Sequence, residues 1–133
     1  MKPALLALAI AAMAVGPALA HHSAAMFDFA HPITLEGTVK EFNWSNPHIS
    51  VDLVVDGKDG APAKTWTIEA SSVGVMSRAG WSKHTLQPGD RIKILFSPLR
   101  DGGAAGSITS VTLAGGKTIT WLTGSNQSQT KQP

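Results

Sequence analysis

Two histidines stand side by side in Ala18-Leu19-Ala20-His21-His22-Ser23. Ala18-Leu19-Ala20 fits the small-x-small rule for removal of a secretory leader. Cleavage after Ala20 would make His21 the first residue of the mature chain. A leading histidine offers its α-amine and its imidazole Nδ1 to the same metal ion, closing a six-membered chelate ring. The amine titrates near about 7.7–8.0 and the imidazole near about 6.5, so both lose their protons at modest cost around neutral pH. One more imidazole would complete a three-nitrogen set of T-shaped or tetragonal form, which favours copper(II). Processing would thus create a site that the precursor lacks.

His21 is the chelating candidate. His22 can bind instead through Nδ1 and its own amide nitrogen, a second mode open to copper(II). His48, which follows Asn46-Pro47 at the start of a strand-like run, is the first choice of remote donor, and His31, held before Pro32, is the next. Met26 is a soft thioether suited to copper(I), and Asp28 a hard carboxylate. The same histidines also have a purely structural reading, as an idle terminal pair and as turn residues bonded to backbone. His84, in the polar stretch Ser82-Lys83-His84-Thr85, reads as solvated. No H-x-H or H-E-x-x-H spacing accompanies them. With no cysteine in the chain, neither a thiolate metal site nor a disulfide framework is open to it.

The leader itself has the usual three parts. Lys2 is its positive start, Ala4 to Val15 its apolar run, and Gly16-Pro17 its helix break. About a dozen apolar residues fall short of the roughly twenty that span a bilayer. Export to the periplasm is expected, without a membrane span in the mature protein, and the lack of cysteine disfavours a lipid anchor. The expected layout is a leader over 1–20, a histidine-bearing segment over 21–32, a β-domain over 33–122 and a disordered polar tail over 123–133.

Formal charge is +2 and falls to +1 when Lys2 leaves. Basic residues are scattered, with no run of three, whereas a nucleic-acid binder shows a clustered basic face. Nucleic acid is therefore not an expected partner. No nucleophile elbow or phosphate loop occurs, and the few acids give no pair that could be placed for glycoside hydrolysis. The chain reads as a binding module and not as an enzyme.

The elements that must carry the histidines are strands. From Ile33 the residues alternate, with Ile33, Leu35, Gly37 and Val39 on one face. The phase then slips near Glu41 before Phe42 and Trp44, which predicts a β-bulge in a long first strand. His48–Val55 and Lys64–Ala70 alternate in turn, separated by a Gly/Asp-rich hairpin loop. Ser72 is placed to cap a short helix over Val73–Ala79, and Gly80 to end it. Gln87-Pro88-Gly89-Asp90 is a type II turn signature. It launches strands over Arg91–Phe96 and Ser107–Leu113, and Thr118–Leu122 can add a sixth. Three strands, a helix and two or three strands predict a small OB-fold-like five- or six-stranded Greek-key barrel, with a β-sandwich as the alternative. Glu69 and Arg78 are placed to pair across the helix. Trp44, Trp66 and Trp81 read as core or rim, and Trp121 as a cover for an open end.

Several segments taken together resemble a known set. They are HHS at the mature start, Phe27-Asp28, Gly37-Thr38-Val39, FNWSNPH over 42–48, Trp66 to Glu69, Arg78 to Trp81, LQPGD over 86–90, and the segment from Pro98 to Gly102. This resembles a family of small exported proteobacterial proteins known as a domain of unknown function, and the likeness spans the mature chain. One departure is Ala70-Ser71-Ser72-Val73, where that pattern opens the helix with Ser-Pro. The resemblance implies no reaction, cofactor or partner. Three function classes remain open: a periplasmic module binding copper or another transition metal, an accessory protein docking on another envelope protein, and an oligosaccharide binder by fold analogy alone.

Overall fold

Strand β1 (Ile33–Asn43) serves two partners. Its first half pairs antiparallel with β4 (Arg91–Pro98), from Ile33 opposite Phe96 to Thr38 opposite Arg91. Its second half pairs antiparallel with β2 (Ser50–Val55), from Thr38 opposite Val54 to Asn43 opposite Ser50. The expected bulge is present, because the register skips between Val39 and Glu41. An extra residue there bends and twists the strand, which lets one strand turn from one neighbour to the other. At that bend the Val39 N–H donates to the Asp90 carbonyl at 2.8 Å, and the Val39 carbonyl accepts from the Gly89 N–H at 2.8 Å. The turn 87–90 therefore fills the gap between the two partners. Gly89 has the positive φ of 96° that the third position of a type II turn requires.

The computed structural model describes residues 24–120. The leader, His21, His22, Trp121 and the polar tail lie outside them. Strand β3 (Lys64–Glu69) continues the sheet beside β2, and its end runs parallel to β5 (Ala105–Thr112), with Glu69 opposite Ser107. Strand β5 returns antiparallel to β4, so five strands form a closed ring. From Ser97, beside the Phe96 that pairs with Ile33, the register passes through Ser107, Glu69 and Ser50 to Asn43. One circuit thus shifts by about ten residues along β1, the stagger by which a tilted barrel closes. This is an OB-fold, with helix α1 (Val73–Arg78) between β3 and β4 and a short β6 (Thr118–Thr120) added to β5. Closure through the β3–β5 pairs rules out the sandwich. Gly106 lies at that seam, where a Cβ would overlap the Phe96 ring and the Ser97 carbonyl.

Strands β4 and β5 run further than their sequence suggests, to Pro98 and from Ala105. The glycine- and alanine-rich stretch there has little strand propensity of its own. It is held by Pro98 opposite Gly106 and by the parallel partner β3.

The barrel interior is apolar, with Val51, Leu53, Ile68, Ile94, Phe96 and Val111 fully buried. Met76 of α1, Trp81 and Leu86 join the same core. Trp66 faces inward, its ring 5.6 Å from that of Phe96, and the Phe42 ring meets those of Trp44 and Trp81 in tilted contacts at 5.8 and 6.4 Å. These tryptophans are core and rim residues, as expected.

A six-residue helix cannot stand alone in water, so its ends are tied. The Ser72 Oγ accepts from the Val75 N–H at 3.4 Å, and the Asn46 Oδ1 accepts from the Val73 N–H at 3.1 Å. At the other end Gly80, at φ 88°, gives its N–H to Ser77 while the Trp81 N–H reaches back to Met76 at 3.0 Å. That is a Schellman stop with Met76 and Trp81 as its hydrophobic pair. Replacing Ser72 or Asn46 by Ala is expected to cost about 1 kcal/mol each, read as a lower urea midpoint at unchanged slope. The expected Glu69–Arg78 pair is not formed. Glu69 is on the outer face of β3 opposite Ser50 and lies 3.7 Å from His48, while Arg78 folds back along its own helix over Gly74.

Candidate functional site

The residues just after the histidine pair are part of the barrel's surface. Ala24–Met26 form a single 3-10 turn, and Phe27 then bridges antiparallel to Leu99 in the β4–β5 loop. Phe27 is buried there, and its ring meets Phe29 edge-on at 6.0 Å. The Asp28 N–H donates to the Pro98 carbonyl at 2.8 Å, and the Arg100 N–H to the Met26 carbonyl at 2.9 Å. The arm therefore lies as a short extra strand at the end of β4.

Asp28 then turns the chain. Its carbonyl accepts from the His31 N–H at 3.3 Å, and its Oδ1 accepts from the Ala30 N–H at 3.3 Å. The other carboxylate oxygen, Oδ2, meets His31 Nδ1 at 2.9 Å. Arg100 approaches Oδ1 at 3.7 Å. The bond to His31, aided by the charges of His31 and Arg100 and opposed by partial desolvation, holds the Asp28 carboxyl below its usual range. The His31 side chain is 81 % exposed. With Nδ1 turned to the carboxylate, Nε2 is the ring nitrogen on the opposite side.

His48 has a different setting. It follows the cis Asn46–Pro47 bond and places Nδ1 3.7 Å from Glu69 Oε2. Pro47, Ser50 and Thr67 complete a shallow groove there of ≈ 280 Å³. The groove runs on across the outer faces of β1, β2 and β3 past Asn43, Asp52 and Glu41. Thr67 donates to Asp52 at 2.7 Å. Acidic side chains line both stretches, Glu69 in one and Glu41 and Asp52 in the other, with no lysine or arginine among their lining residues. Elsewhere on the barrel two basic side chains are paired. Arg91 lies 3.4 Å from Glu36 and 3.0 Å from Asp56, which raises its pKa, and Lys93 lies 3.7 Å from Glu36.

The structure thus puts His31 with Asp28 and Arg100, and His48 with Glu69. Among the described residues no group of three or more histidines and carboxylates could hold a metal. His84 is exposed and only its backbone is bonded, to Ser82, as its polar setting predicts. Sequence reasoning noted Asp28 only as a hard carboxylate; in the structure its side chain bonds His31 and the turn. It missed Arg100 as a partner of the arm. The two lie far apart in the chain, and the only trace was that Phe27-Asp28 and the Pro98–Gly102 segment belong to one recognisable set.

A model described as a family of unknown function, DUF6152, matches residues 8–110. The chain belongs to that family. Most of the segments that carried the resemblance have a role in the fold of this DUF6152 chain. Asn46 caps α1, Gly80 and Trp81 stop it, the 87–90 turn sits at the bulge, and Phe27 and Asp28 dock on Leu99 and Arg100. No curated protein matches the chain. Among solved structures it is similar to a mitochondrial single-stranded DNA binding protein from S. cerevisiae, Rim1, at 7 % identity. That similarity covers 63 % of this chain and 93 % of the other, with a TM-score of 0.49. The barrel assignment stands on its own strand register. No described helix is long and apolar enough to cross a membrane.

Proposed function

We propose that this OB-fold barrel is an exported, periplasmic binding module that takes copper(II) at its processed N-terminus. The amine and Nδ1 of His21 form the chelate, with His22 and its amide as the alternative second donor pair, and His31 Nε2 is the remote nitrogen. The observation that carries the reading is the Asp28–His31 contact at 2.9 Å within an arm docked on the barrel. Histidines that bind metals commonly donate their other ring N–H to a carboxylate, which fixes the tautomer and makes the free nitrogen a better ligand. His31 has that arrangement, on an exposed ring. His21 is three residues from Ala24, within about 11 Å of chain. His48 lies beyond the far end of β1 and faces Glu69, so His31 takes the place that sequence order assigned first to His48.

Titration of leaderless protein beginning at His21 with copper(II) tests this. His31→Ala is expected to weaken binding about tenfold or more, equivalent to about 1.4 kcal/mol, and His48→Ala to leave it unchanged. The opposite ranking would return the remote position to His48. No one-to-one binding by the unaltered protein would remove the reading.

A second reading, docking on another envelope protein, draws on Phe29 and Ile33. These are 56 % and 37 % exposed close to the same turn. A partner recovered equally with and without a chelator, and lost in Phe29→Ser, would favour it. The oligosaccharide reading gains no support from Trp81, which is buried, or from Trp66, which faces Phe96.

A further inference from the structure

A cavity of ≈ 310 Å³ opens on the outer face of the barrel, between β4 and the β5–β6 hairpin. Strand register builds its floor. Glu36 of β1 stands opposite Lys93 of β4, and Lys93 stands opposite Thr112 of β5. Ile92 and Ile94 are buried, which turns Arg91 and Lys93 to the same outer side. Beyond Thr112 the chain turns tightly, with the Leu113 N–H donating to the Lys117 carbonyl at 2.9 Å and Gly116 at a φ of 85°. Leu113 and Ala114 thereby give the cavity an apolar wall beside its charges.

Those charges keep donors in reserve. Arg91 gives Nε to Glu36 at 3.4 Å and Nη1 to Asp56 at 3.0 Å, so Nη2 is the guanidinium nitrogen bonded to neither. Lys93 Nζ lies 3.7 Å from Glu36 Oε2, an ion pair too long to be a hydrogen bond. Glu36 is thus shared loosely between two cations, one oxygen to each. A simple anion entering here would gain from the cations and be repelled by Glu36, and a simple cation would meet the reverse. A molecule that carries both signs of charge suits all three groups.

We infer that this cavity binds a small zwitterion with an apolar side chain, of the aliphatic α-amino acid class. Its carboxylate meets Lys93 and Nη2 of Arg91, its ammonium meets Glu36, and its side chain lies against Leu113 and Ala114. The volume stands at the small end of ligand pockets, which run from about 300 to 1,000 Å³. That suits a single amino acid and not a polymer chain. The site shares no residue with the copper reading and does not depend on it.

The test follows amide resonances of metal-free leaderless protein during titration with L-leucine. Two further probes each lack one of its charges: 4-methylpentanoate has no amine, and 3-methylbutylamine no carboxylate. Leucine should give saturable shifts confined to Lys93 and residues 112–117. Charged contacts this exposed are worth at most a factor of about five each, so each analogue should bind about fivefold more weakly than leucine. Glu36→Gln should weaken leucine about fivefold and 4-methylpentanoate not at all, whereas Lys93→Gln should weaken both about fivefold. Both side chains are exposed on the outer face, so the two variants should keep the fold, which the remaining resonances check. If 4-methylpentanoate binds as tightly as leucine, or Glu36→Gln weakens both probes alike, the zwitterion assignment is overturned. A leucine titration without saturable shifts at the hairpin overturns the site outright.

Discussion

A leaderless protein carrying Gly-Ser-Gly ahead of His21 is expected to bind copper(II) about a hundredfold more weakly than protein beginning at His21, a difference of about 2.7 kcal/mol. The extension turns the basic α-amine into an amide, which has no lone pair to give without losing a proton. The His21 chelate uses that amine and is lost, and the His22 mode keeps only its own amide nitrogen and Nδ1 with no amine beside them to anchor the ion. Three added residues are needed. One or two would place His22 or His21 third in the chain, where a terminal amine, two amides and an imidazole make a different square-planar copper site. The extension should leave metal-free stability unchanged, because Phe27 keeps its seat on Leu99. Bound metal stabilises the state that holds it, so copper(II) should raise the melting temperature of the His21-starting form and not of the extended one. Equal affinity in the two forms would show that the terminal amine is no ligand.

Phe96→Ala is expected to cost about 3–5 kcal/mol, the range for truncating a buried phenylalanine. That is a large share of the roughly 5–15 kcal/mol that holds a domain of this size. Phe96 is fully buried and pairs with Ile33 on one side and Ile108 on the other. Its ring meets the edge of Trp66 and lies over Gly106. Glycine has no side chain that could move into the void, and the backbone there is committed to the β3–β5 seam. The cavity should therefore stay open. Urea unfolding at constant slope measures the loss. A loss below about 1 kcal/mol would mean that the seam relaxes around the missing ring.

Much of the barrel was legible from local rules. Alternation marked the strands, because a half-buried strand shows its two faces in every second residue. The phase slip near Glu41 foretold the bulge, which the register places at Lys40. Ser72, Gly80 and the 87–90 turn were readable because capping and positive φ depend on a few adjacent residues. The ends of β4 and β5 were not, since Pro98 and Gly106 are strand residues only through each other and through β3. The Glu69 partner failed for a similar reason. Cross-strand register puts Glu69 beside the β1–β2 loop, and with it His48, which separation along the chain does not reveal.

The sequence by itself determined the strands, their bulge, the capped helix and the histidines at the expected cleavage site, all from side-chain period and backbone preference within a few residues. Only the tertiary structure decided that the sheet closes through β3 and β5 and that Phe27 and Asp28 dock on Leu99 and Arg100, which left His31 with its carboxylate partner in that arm. The β3–β5 closure and the docking of Phe27 and Asp28 join residues distant in the chain. They follow from the stagger of the closed barrel, which sets which strand ends become neighbours, and no local pattern encodes that stagger.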